Sequence, residues 1–390
     1  MDKIVSGGEI LLAQDWLMCS GIQDLKGREA GGFNAWFDLR SGQYPYVYSE
    51  ITGYGITSLL FLKGFFDEDF VERAILAADW LRDKAEHKLG GVRTRHYHQD
   101  MSESDRYSFE SENIYAFDNG MVLYGLINLF KKCGDRQYLE FSKRIADLLI
   151  EKMRRDDGLF CAVYNHKTGE KTDHTWKWST QSGSYHAKLA LGFTDLYDVT
   201  KDNVYRDAVL TLCRKSLDFQ EPDGRFITSR ADNSTHLHPH AYSAEGLLYA
   251  GMYFKRDEFI LAAVKAVKWA LDNQCRDGGI PKKFDGEKFI THYRVDILAQ
   301  ILRLGVILDG IGQLDKSYID GLKELRSRLL TFQHLQEGLQ KGGFYYGFTL
   351  EGEKRNHINS WCSMFAIQAL IMFEKMDSEN VDINSLRCFV

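Results

Sequence analysis

A glycine-containing turn recurs six times along the chain, about 60 residues apart, and a self-similarity of that period restricts the fold to stacked or ring-closed repeats. It reads GGF at 31–33, GGV at 90–92, DDGLF at 156–160, PDGRF at 222–226, DGGI at 277–280 and KGGF at 341–344. Each interval holds two helical stretches. The first is apolar nearly all round, as in ITGYGITSLLFL, DNGMVLYGLINLF and WCSMFAIQALIMF, and a helix apolar on every face is buried. The second is amphipathic. In DRQYLEFSKRIADLLIEKM, Tyr138, Phe141, Ile145, Leu148 and Leu149 fall at helical spacing while Arg136, Lys143, Arg144 and Glu151 face water.

The pattern is therefore inner helix, outer helix, glycine turn. Inner helices are predicted to start near 50, 115, 182, 240, 293 and 357, with outer helices at about 67–87, 135–154, 202–219, 257–273 and 315–335. No outer helix follows the sixth inner one, because the tail after Met376 is short and polar. An N-terminal helix, about 4–20, is left to pair with the last inner helix and close a ring. The expected fold is all-α: a single domain over 1–390, an (α/α)6 toroid of six helical hairpins. An open solenoid is the alternative. It would need polar terminal caps, and MFAIQALIMF is not one. Inner-to-outer turns are short, whereas outer-to-inner connections carry the glycine turn and strand-like pieces such as GLFCAVYN. The long loops, with short β-hairpins, thus gather on one rim at the inner-helix N-termini, where a rigid scaffold usually carries its function.

Composition narrows the class. Hydrophobic residues at 44% and charged residues at 27% mark a globular protein with a large core. A net charge of −6 argues against a general nucleic-acid or anionic-membrane binder, and no apolar run is long enough to span a bilayer. MDKIVSGGEILLAQDW lacks a basic start followed by an apolar core, so no secretory signal is expected. The seven cysteines are scattered, odd in number and without a CxxC pair, which suits reduced thiols in a cytoplasm. GGEILL and GYGITS lack the glycine spacing of a nucleotide-binding loop, and no cofactor is expected. The oligomeric state is open.

The inner-helix starts are unusually polar for helices so apolar elsewhere. They carry Tyr48 and Glu50; Asp118; Tyr185, His186 and Lys188; His236, His238, His240, Tyr242 and Glu245; Tyr293, Arg294 and Asp296; and Trp361. The loops add Trp36, Trp176 and Trp178. Any one acid here also reads as an early-turn residue favoured by the helix dipole, and any one tyrosine as core. Their convergence from six repeats on one rim favours a site. Aromatic faces stack on pyranose rings, carboxylates bond hydroxyls, and two carboxyl groups are what glycoside cleavage requires. Basic side chains above six helix N-termini favour an anionic sugar such as a uronate. The alternating imidazoles of HLHPH are a weak zinc signal without a matching carboxylate spacing, and no metal is expected.

With YSEITGYGITSLL, HPHAYSAEGLLYAG and HYRVDILAQILRL the chain resembles the six-hairpin (α/α)6 toroid enzymes, among them unsaturated glucuronyl hydrolases, N-acylglucosamine 2-epimerases and glucuronyl C5-epimerases. The segments look most like toroid proteins encoded with bacterial surface-polysaccharide genes. The hydrolases' paired acids imply Asp118 with Glu50 or Asp296, and the 2-epimerases' histidines imply His240 and His186. The expectation is a carbohydrate-active enzyme on an anionic sugar or oligosaccharide, hydrolysis ranking above epimerisation or elimination. His240 and Arg294 would hold a carboxylate, and Trp176, Trp178 and Trp361 would stack on rings. A non-catalytic glycan-binding protein is the remaining alternative.

Overall fold

The computed structural model describes residues 7–66, 69–98, 113–173, 177–376 and 386–390. Its inner helices are α2 (Ser49–Leu62), α4 (Ala116–Cys133), α6 (Ala190–Thr200), α8 (Leu237–Phe254), α10 (Val295–Gly310) and α12 (Ser360–Glu374). Their outer partners are α3 (Phe70–Trp80), α5 (Arg136–Leu148), α7 (Asn203–Ser216), α9 (Asp257–Asp272), α11 (Ile319–Leu330) and, for α12, the N-terminal α1 (Gly8–Cys19). Inner helices touch in the order α2, α4, α6, α8, α10, α12 and back to α2, so the ring closes. The alternation of all-apolar and amphipathic helices has the expected cause. Inner helices are covered on both sides by neighbours and outside by the outer layer, while outer helices bury one stripe.

The six turns act as the ring's spacers. Each has one glycine at positive φ: Gly31, Gly90, Gly158, Gly224, Gly278 and Gly342. Each packs on the next outer helix round the ring. A Cβ at Gly278 would stand 2.7 Å from the Glu324 carbonyl oxygen of α11, and one at Gly342 only 1.9 Å from that of Leu12 in α1. The last turn therefore rests on the first helix, which is the seam. Gly342→Ala, strained in φ and blocked by backbone, is expected to cost about 2 kcal/mol or more, read as a lower urea midpoint with an unchanged m-value.

The hydrophobic residue that ends each turn, such as Phe33, Phe160 or Ile280, is fully buried. The chain then forms short strands on the rim. β1 (Trp36–Asp38) pairs with β10 (His357–Asn359), β2 (Tyr46–Tyr48) with β3 (Arg95–Tyr97), and β4 (Asn113–Tyr115) with β5 (Val163–Asn165), which β6 (Lys171–Thr172) extends. In the fourth sheet β7 (Thr235–His236) pairs with β8 (Lys283–Phe284), and β8 with β9 (Phe289–Ile290). Each strand that leads into an inner helix thus pairs with one that follows the next glycine turn, and the β1–β10 pair joins the two ends of the chain at the mouth.

Two features depart from expectation. The third inner helix opens as a 3-10 stretch, Ser184–Leu189, before α6. Gly246 of α8 lies so close there that a Cβ would meet the Ala187 carbonyl at 2.0 Å. The tail also ends differently: Leu386, Phe389 and Val390 are buried. The Phe389 N–H donates to Tyr124 Oη (3.1 Å), and Lys188 Nζ donates to the Val390 carbonyl (3.1 Å), so the end of the tail fills the ring on the side away from the mouth. Among the described residues no helix is long and apolar enough to cross a membrane.

Candidate active site

The mouth encloses a cleft of about 1210 Å³ lined from all six repeats. Its floor is made across the ring: Tyr54 of α2 and Tyr242 of α8 meet hydroxyl to hydroxyl at 3.0 Å, and Phe117 lies 4.7 Å from the Tyr242 ring. Eight lysines and arginines against six acids line the cleft, in a chain whose net charge is −6. Positive potential is therefore concentrated here.

On one wall stand Glu50 and Asp118, each in the first turn of its inner helix. The two carboxyl groups hydrogen-bond each other, with Tyr48 Oη 3.5 Å from Asp118 Oδ1. Asp118 Oδ2 is buried without a donor among the described residues, and a protonated Glu50 is the neighbouring group that can donate to the Asp118 carboxylate. Burial raises both groups. Asp118 stands at about 6, and Glu50, which also feels the Asp118 charge, at about 8. Arg95, from β3, pulls both back down; its guanidinium packs 5.0 Å from the Tyr48 ring and 5.2 Å from that of Tyr46. Near neutrality the pair binds one proton, carried mainly by Glu50.

The facing wall is different. Asp296 is fully buried, and burial would raise it, but Arg294 and then His238 hold it below its ordinary range. It bonds the Arg294 guanidinium, Trp361 Nε1 (3.0 Å) and the Ile297 N–H (2.8 Å). His238 reaches it at 3.5 Å through Nδ1, which also meets Gln300 Oε1 at 2.7 Å. Burial lowers His238 to about 4 despite Asp296, so its imidazole is neutral at pH 7. With Nδ1–H donated to Gln300, Nε2 is the basic nitrogen. Trp36, Tyr48, Trp178, Tyr185, Tyr346 and Trp361 supply aromatic surface between the walls.

Glu50, Asp118, Trp36, Tyr48, Trp178, Tyr185, His236, His238, Tyr242, Arg294 and Trp361 accordingly share one cleft, while Trp176 lies outside the described residues. Six expected contacts are placed elsewhere. Asp296 sits behind Arg294 and His238 rather than in the cleft. His240 accepts the Phe226 N–H (3.1 Å) at Nδ1 and donates from Nε2 to the Ala266 carbonyl (2.9 Å), so its nitrogens bind the fourth glycine turn and the outer helix α9. His186 is buried against the Tyr185 ring at 4.2 Å. Lys188 and Glu245 pair at 2.7 Å below the floor, where Arg303 also bonds Glu245. Tyr293 donates to Asp277 Oδ1 (2.6 Å) beside a separate groove of about 410 Å³. Sequence reasoning missed Arg95 and Lys282. Their signal is the strand pairing itself, which brings residues a few positions beyond a glycine turn against the strand that enters an inner helix.

The comparisons agree with this architecture. The model of glycosyl hydrolase family 47 matches residues 90–241. Mannosyl-oligosaccharide alpha-1,2-mannosidase IA of Drosophila melanogaster is 29% identical over 103 residues, 26% of this chain, and the match spans 15% of that relative's length. Over whole chains, cellobiose 2-epimerase from Bacillus thermoamylovorans B4167 superposes with a TM-score of 0.73 at 11% identity, covering 93% of this chain and 98% of that one. Unsaturated glucuronyl hydrolase from Bacillus sp. GL1 does so at 0.66 and 15%, covering 94% and 97%. At these identities the likeness is one of fold, and the chain has the (α/α)6 toroid fold.

Proposed function

We propose that the protein is a carbohydrate-active enzyme that cleaves a glycosidic bond of an anionic, uronate-type sugar or oligosaccharide from a surface polysaccharide. The observation that carries this reading is the adjacent carboxyls of Glu50 and Asp118 in an aromatic-lined cleft, both raised by burial so that one proton stays on the pair near neutrality. Hydrogen-bonded carboxyls are closer together than the roughly 5–5.5 Å of a retaining pair or 6.5–9.5 Å of an inverting one. The pair therefore works as one unit. Glu50 gives its proton to the departing glycosidic oxygen while Asp118 stays ionised; after the products leave, the imidazolium of His238 releases the proton it took from water and Glu50 takes one back from solvent, so the protons balance. The base lies on the facing wall. His238 Nε2 takes a proton from a water as that water attacks the anomeric carbon, and the buried Asp296 carboxylate stabilises the imidazolium that forms. Cleavage yields two hydroxyl ends, and the net reaction consumes one water.

The protonation states fix the pH dependence. Below about 6 Asp118 gains a second proton, and above about 8 Glu50 loses its own. A bell-shaped kcat/KM with limbs near those values, belonging to the pair rather than to either residue, is the expected result.

A second reading, epimerisation, is favoured by the same neutral His238. A base on one wall and an acid on the other suit removal of a C–H proton from one face and return to the other. The two are separated by incubating uronate glycosides in heavy water. New reducing ends support cleavage. Deuterium at a ring carbon with the glycosidic bond intact supports epimerisation, and neither outcome across the panel removes the enzymatic reading.

A further inference from the structure

The wall beside His238 holds more positive charge than it can neutralise. Lys282 follows the fifth glycine turn and is only 5% exposed, yet it lines the cleft. Its backbone is pinned on both sides, its N–H donating to the Ile290 carbonyl (2.7 Å) and its carbonyl accepting from Leu237 N–H (3.1 Å). Its ammonium group donates to the Phe348 carbonyl at 2.6 Å and has no carboxylate ion pair among the described residues. Arg294 is clamped to Asp296, but its buried Nε has no partner among the described residues. The two cations pack on one aromatic ring, the guanidinium 4.8 Å and the ammonium 5.7 Å from the Tyr346 ring centre.

The charges that act on Lys282 are Arg294 and Arg355 against Asp296 and Glu351. Counting Lys282 in its protonated form, that is three cations to two carboxylates, one positive charge in excess. Burial pushes Lys282 down to about 7 and, aided by Lys283 and Arg294, pushes the neighbouring His236 down to about 3. In both groups burial acts first and nearby cations add to it. A buried cation without a counter-ion is costly, and an entering anion would relieve it.

We infer that Lys282 and Arg294 form a carboxylate subsite between His238 and Trp361, which takes the acid group of the sugar bound for reaction. This rests on the proposed carbohydrate activity and adds the residues that select the acid. The excess of one charge matches a carboxylate rather than a dianionic phosphate. The Tyr346 ring lies against both cations, and both residues line the cleft.

The test uses the full-length Glu50→Gln variant, which binds without turnover, and calorimetry with glucuronate, galacturonate, glucose and glucose 6-phosphate. One of the two uronates is expected to bind at least tenfold more tightly than glucose. Lys282→Gln, added to that variant, should remove most of the preference while leaving glucose affinity within about twofold, and Lys282→Arg should retain it. Equal binding of acids and glucose, a preference that survives Lys282→Gln, or tighter binding of glucose 6-phosphate than of either uronate would overturn the assignment. If the preference is found but wild-type protein turns over no glycoside, the catalytic reading falls and the subsite stands. Cleavage of neutral glycosides with no preference for acids sinks the subsite alone.

Discussion

Asp118→Asn and Glu50→Gln are each expected to lower kcat/KM by about 10³-fold, the usual worth of a positioned general acid or base. Either amide destroys the shared proton. With Asn at 118 the neighbouring charge that helps keep Glu50 protonated is lost, and with Gln at 50 the mobile proton is gone. The two losses should not add, because the carboxyls act as one unit: the double variant should be no worse than about the poorer single one. The Glu50 change carries a second, opposite signature in stability. Its folded pKa is raised from 4.5 to about 8, so across that window the native state holds a proton that the unfolded chain releases. Stability from this group is full below pH 4.5 and is lost as pH rises through about 8. A neutral amide removes that slope. Glu50→Gln should therefore be inactive and, at pH 8, melt higher than the parent, whereas a residue with only a packing role would show no such pairing of effects.

Glu245→Ala is expected to cost about 3–5 kcal/mol of stability, the range for breaking a buried ion pair from one side. Glu245 lies between two cations, Lys188 at 2.7 Å and Arg303, all three side chains fully buried. It also accepts from Gln300 Nε2 at 3.2 Å. Burial already lowers Lys188 to about 7, and Glu245 is held ionised by Arg303 and Lys188 against its own burial. Without Glu245, Lys188 would give up its proton, but Arg303 has no such escape and would stay charged with only Gln368 Oε1 (2.9 Å) and the faces of Phe365 and Phe389. A lower urea midpoint in Glu245→Ala, partly restored when Arg303 is also replaced by Met, is the measurement. An unchanged midpoint would mean that the network does not brace the floor of the cleft.

The repeat was legible because its cause is local. A turn that must approach a neighbouring helix backbone at positive φ admits only glycine, so Gly31, Gly90, Gly158, Gly224, Gly278 and Gly342 stand where the ring needs them. The acids Glu50 and Asp118 were legible for a related reason. On helices otherwise apolar on every face, a carboxylate in the first turn has only the mouth to face. The histidines were harder. His238 and His240 are two positions apart, so on a helix they point about 200° away from each other. One enters the cleft and the other bonds the Ala266 carbonyl of α9, and only the azimuth of α8 decides which.

Sequence alone determined the number of hairpins, the inner and outer layers and the rim on which the loops gather. All three follow from hydrophobic period and glycine placement within 60-odd residues, where sequence distance and spatial distance still correspond. Tertiary structure decided the rest. The contact of Glu50 with Asp118, the burial of Asp296 behind His238, the arrival of Lys282 beside Arg294 and the return of Phe389 to the ring's far end join residues from different repeats. Protonation and charge balance depend on distances of a few ångströms between such groups, and those distances exist only once the ring has closed.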